Sequence, residues 1–219
     1  MTAPRRAALF DLDGVLLDSA AAVRATLAAV ATCATGRRVT LGDLPSGALR
    51  RPRVEVLAFL DVPDPDDACE RWWDGALSAT LVQPFPGVLS GLLALRAEGT
   101  AIGAVTLQDR DRLRWLLPPA LAELLDVVIS RQDAQPKPAP DGLNAALSRV
   151  DIEPERAVFV GDSPTDMIAA RAAGVVALGA VWGWHPPAAL RAAGADHFLP
   201  EPASIGPSLL RHLPLIDSA

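Results

Sequence analysis

Lysine is nearly absent from this chain: its 219 residues hold nineteen arginines and a single lysine, Lys137. Cysteine is scarce as well, and neither Cys33 nor Cys69 stands in a metal-ligand pattern. That excludes a thiolate metal site and leaves free thiols in a reducing cytosol as the expectation. The three histidines, His185, His197 and His212, fall late in the chain without ligand spacing. A positive balance is missing too. The net charge of −6 argues against nucleic acid or an anionic membrane as the main partner, so an anionic substrate would need a local positive site. No run of eighteen uncharged apolar residues occurs, so no membrane-spanning helix is expected. The apolar stretch after Arg5 and Arg6 is too short for a signal peptide, and the expected location is the cytoplasm.

What the chain does have is hydrophobic substance, half of its residues, enough for a sizeable core. The length suits one generous domain or a core domain with a smaller insert. Its organising stretch is Ala7-Ala8-Leu9-Phe10-Asp11-Leu12-Asp13-Gly14. A short apolar run ending in a turn signal reads as a buried strand of a parallel sheet. Residues i and i+2 of an extended backbone share a side, so Asp11 and Asp13 can face one site. Two like charges that close repel, and a divalent cation relieves them. Taken alone, the stretch reads equally as a strand end with solvated acids.

Residues 18–84 look helical. Ala20 to Ala34 carries Val23, Leu27 and Val30 at helical spacing behind Ser19 as N-cap. Ser46 to Leu60, broken near Pro52, and Asp66 to Leu81 follow, separated by a polar, proline-rich turn. From Gly87 onward helix and strand alternate. Strands are predicted at 101–106, 127–130, 157–160, 175–181 and 197–199, with helices at 88–98, 109–117, 120–125, 140–150, 165–173 and 187–193. A weak helix over 203–213 closes the pattern. Such alternation means βαβ units: an α/β fold with a Rossmann-like parallel sheet, helices on both faces and a small all-α domain inserted after the first strand. The domains are 1–17 with 85–219 for the core, and 18–84 for the helical insert.

Three further strand ends carry chemistry. Thr106 ends a strand, where a hydroxyl and the backbone N–H groups of the next turn, Leu107 included, can hold a phosphoryl oxygen; a simple cap or turn explains it as well. Lys137 lies in Gln135-Pro-Lys-Pro-Ala-Pro140, pinned between prolines ahead of a helix. In a chain that otherwise uses arginine, this placement points to a need for a compact, strongly hydrated charge. In Gly161-Asp162-Ser163-Pro164-Thr165-Asp166 a capping box accounts for Ser163 and partly for Asp166, with Pro164 at the first helical position. It does not account for Asp162, which ends a strand as Asp11 does. Asp11 and Asp162 supply the hard oxygens that Mg²⁺ prefers.

In this order the four pieces resemble the haloacid dehalogenase-like hydrolase superfamily, and its phosphoglycolate phosphatase-like branch with a helical cap. The resemblance covers the core, including Val181-Trp182-Gly183 and Gly194-Ala-Asp196, and is weak in 18–84. It implies an Mg²⁺-dependent phosphatase acting on a small phosphorylated metabolite through an aspartyl-phosphate. Asp11 would be the nucleophile, Asp13 the general acid and base, and Thr106, Leu107 (through its backbone) and Lys137 the phosphate holders. Asp11, the Asp13 carbonyl and Asp162 would hold the metal, with Asp166 among these ligands or just behind them. Relatives often carry Asn where this chain has Leu107, so any side-chain contact there would be lost. Asp13 argues against a true dehalogenase, and the absence of lysine from 18–84 against a Schiff-base phosphonate hydrolase. A phosphosugar mutase shares the same core residues, and a non-catalytic binding protein is the alternative from another class. Arg50, Arg51 and Arg53 form the one basic cluster of 18–84 and are candidates for substrate choice or for a solvated face. Trp72 and Trp73 are candidates for lining the entry or for packing, and Trp182 for a loop near the site.

Overall fold

A computed structural model describes residues 6–206, 209, 211 and 212. The chain divides into two compact units, Met1–Leu17 with Pro84–Ala219, and Asp18–Gln83. In chain order the first elements are β1 (Ala7–Phe10), β2 (Leu17–Asp18), α1 (Ala20–Thr35), α2 (Arg53–Phe59), α3 (Pro65–Ser78) and β3 (Gln83–Pro84). There follow α4 (Val88–Ala97), β4 (Ala101–Val105), α5 (Arg110–Leu116), α6 (Pro119–Ala122), β5 (Val127–Ile129) and α7 (Asp141–Val150). The chain continues with β6 (Ala157–Gly161), α8 (Pro164–Ala172), β7 (Val176–Ala180), α9 (Pro187–Ala192) and β8 (His197–Leu199).

Six strands form one parallel sheet in the order β5-β4-β1-β6-β7-β8. β1 lies at its centre, with Ala7–Phe10 in register with Ala101–Ala104 on one side and Ala157–Val160 on the other. Every residue of β1 is fully buried, as a strand covered by helices on both faces must be. Leu9 and Phe159 join Met167 and Ala170 of α8 and Leu143 and Leu147 of α7 in the core. Each such large side chain contributes roughly 1.5–3 kcal/mol of transfer free energy. The chain builds β4 and β5 on one side of β1 and then returns to place β6 on the other. The crevice beyond the carboxyl ends of β1 and β6 is therefore the switch point where such sheets bind ligands. Asp11 and Asp162 end those two strands.

The second unit is helical: α1 packs on α3, and α2 on both. Asp64 caps α3 by accepting the Asp67 N–H at 3.1 Å, with Pro65 in the first turn. Ser19 precedes α1 without capping it. Its backbone (φ −99°, ψ 0°) leaves the extended region from which a cap side chain reaches back. The expected helical stretch 46–60 resolves into a short 3-10 turn, Ala48–Arg50, and α2, parted at Pro52. Of the weak helix expected at 203–213, the described part shows a 3-10 turn at Pro202–Ser204, and residues 207, 208, 210 and 213 lie outside the described residues. Cys33 and Cys69 are not joined in a disulfide. Among the described residues no helix is long and apolar enough to cross a membrane.

Candidate active site

The loops after β1, β4, β5 and β6 bring their side chains to one place. Lys137 Nζ lies 2.8 Å from Asp11 Oδ1 and 2.6 Å from Asp166 Oδ1, and donates to the Val105 carbonyl at 3.2 Å. The ammonium thus ties the end of β1 to the end of β4 and to the first turn of α8. Lys137 is 8 % exposed, Thr106 4 %, Asp162 2 % and Asp166 not at all. The capping box at α8 forms as its spacing predicts: Ser163 accepts the Asp166 N–H, and Asp166 Oδ2 accepts from the Ser163 hydroxyl and from the N–H groups of Asp162 and Ser163. One Asp166 oxygen therefore braces the loop while the other holds Lys137. Asp162 Oδ2 accepts the Trp184 N–H at 2.6 Å.

Gly14 is what allows the loop after β1 to close here. Its φ is +79°, and a Cβ would stand 2.5 Å from Asp162 Oδ2. Gly183 meets the same carboxylate from the other side, where a Cβ would collide with it. Thr106 Oγ1 accepts the Gln108 N–H at 3.1 Å, which leaves its hydroxyl proton to donate outward. Asp13 Oδ2 accepts from Gln108 Nε2 at 2.5 Å.

Charge is unbalanced at this crevice. Burial pushes the Asp11 carboxyl up to about 7 despite the attraction of Lys137. Burial, with Asp11 and Asp166 nearby, pushes Asp162 up to about 8. Burial alone would lower the Lys137 ammonium, yet Asp11 and Asp166 outweigh it and hold it above its ordinary value. One cation faces three carboxylates. Ligand atoms of Asp11, Asp162 and Asp166 lie within 4.8 Å of one another, a compact set of hard oxygens that fits a divalent cation. The Asp13 carboxylate is outside that set and is engaged by Gln108 instead.

The family model for haloacid dehalogenase-like hydrolases matches residues 8–180. The chain belongs to this family. A phosphoglycolate phosphatase of Xylella fastidiosa (strain 9a5c) is 35 % identical over 191 residues, covering 82 % of this chain and 81 % of that protein. The plasmid phosphoglycolate phosphatase of Cupriavidus necator is 33 % identical over 203 residues, covering 88 % of each. Among solved structures, a HAD family hydrolase of Deinococcus radiodurans R1, determined with bound phosphate and sodium, superposes with a TM-score of 0.72 at 28 % identity. That match covers 95 % of this chain and 96 % of the other. The chain is therefore an enzyme of the haloacid dehalogenase-like hydrolases.

Of the residues singled out from the sequence, the structure gathers Asp11, Asp13, Thr106, Lys137, Asp162 and Asp166 at the strand ends of this hydrolase. Leu107 follows Thr106 in the turn with its side chain half exposed. Arg50, Arg51 and Arg53 belong to the helical unit, where the Arg53 guanidinium sits 4.9 Å over the ring of buried Trp73. Trp73 is thus a packing residue. Trp182 donates its indole N–H to the Val15 carbonyl at 3.1 Å and ties its loop to the one after β1. Gln108 and the Trp184 N–H escaped the reading of the sequence. A backbone donor leaves no mark on residue type, whereas Gln108 had a usable signal, standing two residues after Thr106.

Proposed function

We propose that this hydrolase is a cytoplasmic, Mg²⁺-dependent phosphatase of small phosphate monoesters, with phosphoglycolate the first candidate substrate. The observation that carries the proposal is the meeting of Asp11, Asp13, Thr106 and Lys137 beyond β1 and β4. The phosphoglycolate phosphatases among the relatives support the substrate class.

The chemistry divides among this chain's own groups. An Asp11 carboxylate oxygen attacks phosphorus, the bond to the leaving alcohol breaks, and Asp13 gives that oxygen its proton. Asp13, now a carboxylate, takes a proton from water as the water attacks phosphorus. The Asp11–phosphorus bond then breaks, and free phosphate leaves with both aspartates restored. The Thr106 hydroxyl, the Leu107 N–H and the Lys137 ammonium hold the phosphoryl oxygens in line. The Asp11 and Asp162 carboxylates and the Asp13 carbonyl would hold Mg²⁺, which supplies positive charge against the developing phosphoryl charge, with Asp166 beside them holding Lys137. We assign substrate choice to the helical unit, where Arg50, Arg51 and Arg53 form the basic cluster.

The test is phosphate release from a panel of small monoesters, with Mg²⁺ and with chelator, beside Asp11→Asn. Metal-dependent release that vanishes in the variant is the expected result. Release that survives in Asp11→Asn would overturn the reading.

A further inference from the structure

We propose that Gln108 is a positioning residue that aims Asp13 for proton transfer and is itself set by Arg112; the inference deepens the phosphatase reading and rests on it. Gln108 stands where the turn after β4 enters α5. Its Nε2 donates to Asp13 Oδ2 at 2.5 Å, and its Oε1 accepts from Arg112 Nη1 at 2.7 Å. Arg112, one turn further along α5, is 6 % exposed, and its Nη2 lies 3.3 Å from Asp109 Oδ2.

The direction of this chain of bonds is fixed by chemistry. A guanidinium has donors only, so the Gln108 oxygen must be the atom that faces Arg112. The amide NH₂ is then the group left for Asp13, and the amide has no alternative orientation that keeps both bonds. An NH₂ facing a carboxylate oxygen can only donate. Oδ2 of Asp13 is therefore occupied throughout, and the mobile proton is carried on Oδ1. A free carboxyl has two oxygens, two proton geometries and a rotating χ2; Asp13 held this way has one oxygen to exchange through. A general acid acts only within hydrogen-bond reach of the atom it protonates, so restricting the carboxyl to one pose bears on rate. The Gln108 backbone adds a second tie, its N–H bonding Thr106 Oγ1. One residue thus sets the proton donor through its side chain and a phosphoryl ligand through its backbone.

Proton donation matters most when the leaving group is a poor one. An alkyl phosphate such as phosphoglycolate leaves as a strongly basic alkoxide unless protonated, whereas p-nitrophenolate leaves readily without help. The ratio kcat/KM(phosphoglycolate) to kcat/KM(p-nitrophenyl phosphate) reads the first phosphoryl transfer and isolates the contribution of Asp13 as an acid. Gln108→Met keeps the length and loses both side-chain bonds. Gln108→Glu keeps an acceptor for Arg112 and removes the donor to Asp13.

In Mg²⁺-saturated full-length protein, both variants are expected to lose roughly 10- to 100-fold on phosphoglycolate and much less on p-nitrophenyl phosphate. Their melting temperatures and their affinity for inorganic phosphate are expected to stay near wild type. Should Gln108→Met fail to fold, Gln108→Glu carries the same comparison. Equal losses on both substrates would mean a merely structural role and overturn the inference, and so would a Gln108→Glu enzyme with the wild-type ratio. A wild type that releases phosphate from neither substrate overturns the phosphatase reading itself, and the inference falls with it.

Discussion

The surface pairs of the helical unit and the buried set at the strand ends of the core unit handle charge in opposite ways. In the helical unit the ion pairs are long and wet. Arg37 and Asp61 are 3.7 Å apart with side chains 53 % and 88 % exposed, and Arg71 and Asp67 are 3.5 Å apart with 63 % and 51 % exposed. Such pairs contribute about 0–1 kcal/mol. In the core unit Lys137 meets Asp11 at 2.8 Å and Asp166 at 2.6 Å, with the lysine side chain 4 % exposed. There the desolvation of each ion opposes the attraction, and removing one partner strands the others. The surface pairs follow from helix geometry: Asp67 and Arg71 stand at i and i+4. Nothing local requires the buried set. Charges concentrated at that cost mark a place where chemistry is done.

The sharpest way to break the comparison is at Asp11. Asp11→Asn removes the nucleophile with almost no change of shape, and turnover is expected to fall by at least about 1,000-fold in steady-state assays. A loss of only a few fold would put the buried cluster on the same footing as the surface pairs. Next comes Lys137→Met, which leaves the buried Asp11 and Asp166 without their cation. A loss of about 3–5 kcal/mol in urea unfolding of the metal-free protein at neutral pH is expected. A change under about 1 kcal/mol would class this pair with the exposed ones.

The dependence on pH sharpens the contrast further. Asp11 and Asp162 keep their protons up to about 7 and about 8, against an ordinary value of 3.8. A folded-state value above the unfolded one means that the folded form binds the proton more tightly. The resulting stabilisation is complete below pH 3.8 and is lost as pH rises through 7 and 8. The melting temperature of the chelated protein is therefore expected to fall between about pH 4 and about pH 8 and to level off above that. Mg²⁺ is expected to raise it most at the upper end, where the carboxylates are ionised. Asp162→Asn should flatten that slope. A slope unchanged in the variant would contradict the account. The smallest effect belongs to the helical unit: Asp61→Asn removes a charge at a residue whose φ of +63° asparagine accepts. A change within about 0.5 kcal/mol in urea unfolding is expected; a loss above about 2 kcal/mol would erase the difference between the units.

The sequence was most informative where local rules and buried strands coincide. The run Ala7–Phe10 announced a buried strand, and Ser163, Pro164 and Asp166 announced the start of α8, because a capping box is a short-range device written in residue type. Lys137 stood out because the chain uses arginine everywhere else and because prolines flank it. Other features were not legible. Ser19 has the residue type of a cap, but its backbone angles do not let it act as one. The place of β1 between β4 and β6 depends on long-range pairing that no window of sequence contains. Apart from its place two residues after Thr106, Gln108 carries no local mark of its role, since its partner Asp13 stands ninety-five positions earlier. The backbone N–H of Trp184 on Asp162 carries no side-chain signature at all.

The central claim is that Asp11 carries the phosphoryl group, and reductive trapping tests it most directly. The enzyme is mixed with Mg²⁺ and a phosphate monoester, quenched during turnover and treated with borohydride, which reduces an aspartyl-phosphate to homoserine. Peptide mass spectrometry then locates the change. The account predicts homoserine at position 11, dependent on substrate and absent from Asp11→Asn. Continuing phosphate release with position 11 unmodified, or modification at another aspartate, would contradict it.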